Sequence, residues 1–123
     1  MHEMTKENLK SAIAGESQAH VKYTYFSEVA EKEGKPNIGR LFKAVAYAEL
    51  VHAGGHLKVL GLISKTSDNL DAALAGEIFE VEEMYPAYYN EAKLQDEKEA
   101  QVSTHYALEA EKMHIDMYKK AKE

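Results

Sequence analysis

Two short motifs in this chain have the residue types and the spacing to bind a metal. They are Glu49-Leu50-Val51-His52 and Glu111-Lys112-Met113-His114. On a helix, a spacing of three puts carboxylate and imidazole on one face. One such motif is weak, because it is common by chance. Each of these two, however, follows a helix that carries its own inward glutamate, Glu16 before the first and Glu77 before the second. Four glutamates and two histidines drawn from four helices are the ligand set of a carboxylate-bridged two-metal site in a helix bundle.

The elements that must position these residues can be read from capping signals and breakers. Thr5 is a candidate N-cap, and the helix it opens runs to Gly34. Gly34-Lys35-Pro36-Asn37 is a turn, with Asn37 capping a second helix from Ile38 to about Leu60–Ile63. Ser64 to Asn69 reads as a polar loop. A third helix spans about Leu70 to Leu94, and Pro86 inside it demands a kink or a bulge. A fourth runs from about Glu97 to Ala121. No window alternates with period two. The expected fold is therefore all-α, a four-helix bundle in one domain, residues 1–123.

Read in steps of seven, the core faces are interrupted at similar depth. Helix one gives Leu9, Glu16, Tyr23 and Ala30. Helix two gives Phe42, Glu49, His56 and Ile63. Helix three gives Leu70, Glu77 and Met84, and helix four gives Thr104, Glu111 and Tyr118. A single glutamate near an apolar row is ordinarily a solvated rim residue. Four helices doing the same are not four accidents. Ionised carboxylates are rarely buried without a partner, and no lysine or arginine lies on these rows. A metal is the economical counter-charge.

An internal repeat supports this reading. Ala14-Gly15-Glu16 recurs as Ala75-Gly76-Glu77, and Ala48-Glu49-x-x-His52 recurs as Ala110-Glu111-x-x-His114. The chain reads as two helix hairpins, each supplying half of one site. Glu16 and Glu77 are expected as terminal ligands and Glu49 and Glu111 as bridges, with His52 and His114 one per metal. Oxygen ligands with one imidazole each suit iron or manganese better than zinc or copper. Glu80, one turn beyond Glu77, reads either as a fifth carboxylate ligand or as a solvated residue of the acidic run Glu80-Val81-Glu82-Glu83. His20 and His56 read as satisfied structural histidines, with a second reading for His56, one turn after His52 and near the core row, as a support behind the ligands; the lysines near both termini read as solvated faces.

Composition removes other classes of function. There are 15 basic against 21 acidic residues, a net charge of -6, which argues against a nucleic-acid partner. With no cysteine, disulfides, thiol catalysis and Cys-ligated metals are excluded in this chain. No apolar run reaches membrane-spanning length. The start, MHEMTKENLK, has no apolar signal region, so a cytoplasmic protein is expected.

The chain resembles the di-iron domain of the rubrerythrin family. The stretches that carry the resemblance are Gly15-Glu16-Ser17-Gln18-Ala19 with Tyr23, Ala48-Glu49-Leu50-Val51-His52, Gly76-Glu77 followed by Glu80 and Glu83-Met84-Tyr85-Pro86, and Ala110-Glu111-Lys112-Met113-His114. The resemblance implies a ferritin-like bundle with two iron ions (Fe2+/Fe3+) and reduction of hydrogen peroxide to water in oxidative-stress defence. It implies that Glu80 and His52 exchange on one iron as the pair changes oxidation state. It also implies that Tyr23 and Tyr85 line the site and hydrogen-bond the bound peroxide. Read from spacing alone, both tyrosines are ordinary core residues. Rubrerythrins usually continue into a rubredoxin domain with four cysteines. This chain is similar to short members of the sulerythrin type, so the electrons are expected from a separate donor such as rubredoxin. Two rival readings remain open: a di-manganese catalase, and an iron-binding ferroxidase or storage protein.

Loop length bears on assembly. If the two hairpins face each other across a two-fold perpendicular to the helices, helix two lies parallel to helix three. With helix two ending at Ile63, the link must span about 33 Å at about 1.5 Å per residue. Ser64 to Asp68 reaches only about 20 Å. A homodimer that exchanges hairpins removes the conflict, and the resemblance to short rubrerythrins implies the same exchange.

Overall fold

The computed structural model describes residues 1–123. It is all-α: α1 Glu3–Lys32, α2 Pro36–Val59, α3 Thr66–Phe79, a π-helical segment Glu80–Met84, α4 Tyr85–Leu94 and α5 Lys98–Lys122. No helix is long and apolar enough to cross a membrane. The chain divides into two compact units, Met1–Ile63 and Ser64–Glu123.

The first unit is the α1–α2 hairpin. Its helices meet through small residues. Ser27 and Ala30 on α1, with Gly39, Ala46 and Ala53 on α2, are its buried positions. The Ser27 hydroxyl donates to the Gly39 carbonyl at 2.7 Å. A Cβ at Gly39 would lie 3.0 Å from Glu31 Cγ and 3.3 Å from the Ser27 carbonyl oxygen. Glycine is what lets the two backbones approach here. Farther along, the His20 ring places Nδ1 2.7 Å from the Ala46 carbonyl, which ties the helices near mid-length.

The turns are built alike. α1 ends in Gly34 at φ 75°, with Gly34 N–H on the Glu31 carbonyl and Lys35 N–H on the Ala30 carbonyl. α4 ends in Asp96 at φ 57°, with Asp96 N–H on Lys93 and Glu97 N–H on Ala92. Both are Schellman ends, whose left-handed residue turns the last carbonyls onto following N–H groups. α2 closes in the same way at Gly61. It therefore stops at Val59, short of the Leu60–Ile63 limit read from its apolar row.

The second unit packs α3 and α4 against α5. α3 starts at Thr66, four residues before Leu70. Polar side chains do this: the Ser64 N–H donates to Asn69 Oδ1, and the Asn69 amide donates back to the Ser64 carbonyl. What reads as a polar loop is thus a helix start. Neither Thr5 nor Asn37 acts as an N-cap. α1 begins after His2, and α2 begins after Lys35 with Pro36 in its first turn, where a missing N–H costs nothing.

The break expected at Pro86 is the π segment. Tyr85 N–H reaches back five residues to the Glu80 carbonyl. In an unbroken α-helix the Pro86 ring would press on the carbonyl four residues earlier, that of Glu82. Because the π segment ends at Met84, Pro86 falls in the first turn of α4, where a missing N–H costs nothing.

Candidate metal centre

Each unit gathers one carboxylate–histidine triad. In the first, Glu16 of α1 meets Glu49 and His52 of α2. In the second, Glu77 of α3 meets Glu111 and His114 of α5. Within each triad the ligand atoms lie within 4.8 Å of one another. His52 Nδ1 is 3.4 Å from Glu16 Oε1 and 3.8 Å from Glu49 Oε2. His114 Nδ1 is 3.4 Å from both Glu77 Oε1 and Glu111 Oε2. The repeat seen in the residues is therefore a repeat of geometry.

The carboxylates are the inner members. Glu16, Glu49, Glu77 and Glu111 keep 25, 21, 17 and 17% side-chain exposure, against 56% for His52 and 45% for His114. No lysine or arginine bridges to any of the four. Glu16 Oε2 and Glu77 Oε2 are shielded from solvent and lack a hydrogen-bond partner. Buried carboxylate oxygens without donors are costly, and a cation is the partner that this donor set fits. The oxygen-rich sets with one imidazole apiece fit iron or manganese better than zinc or copper.

Glu80 lies outside both triads. It is partly buried at the start of the π segment, while Glu82 and Glu83 are exposed. Tyr23 is partly buried, its ring 6.0 Å from Phe26 and 6.1 Å from Phe42. Tyr85 is also partly buried and meets Tyr88 edge to face at 6.4 Å. His20 is satisfied by the Ala46 carbonyl, as the sequence reading had it. His56 makes an approach across the hairpin. Its Nε2 comes 2.8 Å from Glu16 Oε2, although the approach lacks the alignment of a hydrogen bond. Helical spacing within α2 could not reveal this contact, because the partner is on α1.

Residues 7–122 match the rubrerythrin family. The chain belongs to that family. It is 44% identical to rubrerythrin-2 of Clostridium acetobutylicum over 98% of its own length and 73% of that protein. It is 40% identical to nigerythrin of Nitratidesulfovibrio vulgaris over 93% of its length and 63% of that protein. A solved structure of fully reduced, all-ferrous nigerythrin is 36% identical, with a TM-score of 0.49, and matches 96% of this chain and 65% of that one. The chain thus spans about two thirds of the nigerythrin chain. Its all-α fold is that of a ferritin-like rubrerythrin domain, and its two carboxylate–histidine groups suit a di-iron pair.

Proposed function

We propose that this rubrerythrin-family chain is a non-haem di-iron peroxidase that reduces hydrogen peroxide to water with electrons from a separate donor such as rubredoxin. The observation that carries the reading is the pair of equivalent triads, Glu16–Glu49–His52 and Glu77–Glu111–His114, whose partly buried carboxylates pair with no lysine or arginine. Glu16, Glu49 and His52 would hold one iron and Glu77, Glu111 and His114 the other, with Glu49 and Glu111 shared between them. When bound, a ferrous pair would supply one electron per ion, the two electrons that O–O cleavage takes up without release of hydroxyl radical. Two protons complete the two waters. Glu80 offers a further carboxylate beside Glu77. His52 would be the ligand that gives way as Glu80 binds. The Tyr23 and Tyr85 hydroxyls would hydrogen-bond the substrate oxygens.

The reading extends to a hairpin-swapped homodimer. α2 ends ten residues after Glu49, about 15 Å, and α3 begins eleven residues before Glu77, about 16 Å. With Glu49 and Glu77 level and α2 parallel to α3, the link must cover about 31 Å. Leu60 to Lys65 reaches at most about 25 Å fully extended. The turn at Gly61 and the Ser64–Asn69 bonds shorten it further. Phe26, Ile38, Val45, Val59 and Ile63 stay exposed on the rows that carry Glu16 and Glu49, as expected of a hairpin whose covering partner is another chain.

The test is metal analysis, then anaerobic reduction and stopped-flow mixing with peroxide or with oxygen. Peroxide should oxidise the ferrous protein much faster than oxygen does. Equal rates would favour a ferroxidase. Oxygen evolution from peroxide without reductant would favour a catalase.

A further inference from the structure

Glu16 stands between two histidines of α2 that are one turn apart. Its Oε1 is 3.4 Å from His52 Nδ1, and its Oε2 is 2.8 Å from His56 Nε2. Both members of the second contact are partly shielded, with 32% side-chain exposure for His56 and 25% for Glu16. No other basic side chain pairs with Glu16 Oε2. The other histidine one turn from Glu16, His20, is committed to the Ala46 carbonyl. A separation of 2.8 Å is already a hydrogen-bond length. The ring has only to turn its N–H toward the oxygen.

The second triad has no such neighbour. The repeat that pairs Glu49 with Glu111 and His52 with His114 pairs His56 with Tyr118. Glu77 Oε2 is buried without a partner, and the one imidazole near Glu77, that of His114, faces Oε1. The two half-sites match in their ligands and differ in what stands behind the terminal glutamate.

We propose that His56 is a positioning residue for the first half-site. It donates its Nε2–H to the outer oxygen of Glu16 and so presents Oε1 toward His52 and Glu49. Glu16 then offers a metal one oxygen in a fixed direction. Glu77, unrestrained, keeps both oxygens available. Donors behind a ligating group fix its orientation and tune its basicity. The two metal positions are therefore unequal by construction, before any difference made by Glu80. This inference rests on the two-metal reading of the triads.

The test uses the full chain, titrated with cobalt(II) and followed by its ligand-field bands, then with ferrous iron. Three variants are compared with the parent: His56→Phe, His56→Gln and Tyr118→Phe. His56→Phe keeps a ring and removes the donor. It should weaken one of the two metal positions by about 10- to 100-fold and leave the other at parent affinity. His56→Gln, which restores an N–H donor, should recover most of the loss. Tyr118→Phe should change neither position. Should His56→Phe fail to fold, His56→Leu removes the donor with less bulk and carries the same expectation. Parent affinity at both positions in the donor-less variant would overturn the proposal, as would equal loss at both. A fall in apo-protein stability with unchanged metal affinity would assign His56 a structural role only. A parent chain that binds no metal pair overturns the two-metal reading itself, and this inference falls with it.

Discussion

Glu77 and Tyr85 are eight residues apart, whereas Glu16 and Tyr23, their counterparts in the first hairpin, are seven apart. The extra residue is taken up by the π segment Glu80–Met84, where the Tyr85 N–H bonds five residues back. Before this segment the repeat runs at 61 positions, Glu16 to Glu77. Beyond it the repeat runs at 62: Tyr23 to Tyr85, Ala30 to Ala92, Gly34 to Asp96, Glu49 to Glu111. Ala30 and Ala92 are both buried, and Gly34 and Asp96 both turn with positive φ. The hairpins are one design with one residue inserted.

A deletion tests that equivalence. Removing Glu82 makes the spacing equal to that of the first hairpin, and the turn can close as an α-helix. Pro86 must be replaced as well, because a proline inside a regular helix costs about 3 kcal/mol. The chain with Glu82 deleted and Pro86→Ala should stay folded and keep two metals per site. Circular dichroism and metal analysis read the two outcomes. Loss of metal from a folded chain would show that the second hairpin needs its π turn to aim Glu77.

The inserted turn also begins at Glu80. Counted at 61 positions, Glu80 stands where the first hairpin has Ala19, so a carboxylate beside Glu77 has no counterpart beside Glu16. Glu80→Ala should bind iron with parent stoichiometry yet slow the oxidation of the ferrous protein by peroxide about tenfold or more, a barrier change of about 1.4 kcal/mol. Glu49→Ala and Glu111→Ala should each lose metal more readily than Glu80→Ala, because a bridging carboxylate serves two ions. A Glu80→Ala protein that reacts at the parent rate would remove Glu80 from the redox step.

His20 and His56 make different contacts. Both stand on core-facing rows, one turn from a triad residue. His20 bonds the Ala46 carbonyl at 2.7 Å, and His56 faces Glu16 Oε2. His20→Phe should lower stability by about 1 kcal/mol, the usual net contribution of one such bond, and leave metal affinity at the parent value. Chemical denaturation and a cobalt titration on the same sample check both halves. Loss of metal in this variant would place His20 in the site.

The triads were legible in the sequence because both their spacing and their burial obey the helical period. Glu-x-x-His fixes a face, and glutamates on an apolar row without basic partners ask for a cation. The π turn was visible only as the change from 61 to 62, a single residue that the Pro86 signal located but could not resolve. His56 is visible in the sequence as a residue near the core row, one turn after His52, but its neighbour Glu16 is on the facing helix, and periodicity within α2 carries no information about it. α3 starts four residues before the Leu70 that its apolar row suggests. Ser, Thr, Asp and Asn serve both loops and helix N-termini, and only the reciprocal Ser64–Asn69 bonds decide between them.

The exchange of hairpins makes a prediction that no single-chain site can share. In a swapped dimer each di-metal site draws Glu16, Glu49 and His52 from one protomer and Glu77, Glu80, Glu111 and His114 from its partner. A Glu49→Ala homodimer then has both sites damaged, and so has a Glu111→Ala homodimer. Unfold the two proteins together and refold them, and mixed dimers form. In a mixed dimer, one site combines the first hairpin of the Glu49→Ala chain with the second hairpin of the Glu111→Ala chain and carries both lesions. The other site combines the two intact hairpins and carries none. With random pairing, half of the dimers are mixed and one site in two is whole, so about a quarter of the parent peroxidase activity and metal content should return. Sites built within one chain would each keep their own lesion, and mixing would restore nothing. Sedimentation of the refolded mixture supplies the second check: the regained activity must travel with the dimer, and a fully metallated monomer would reject the exchange outright.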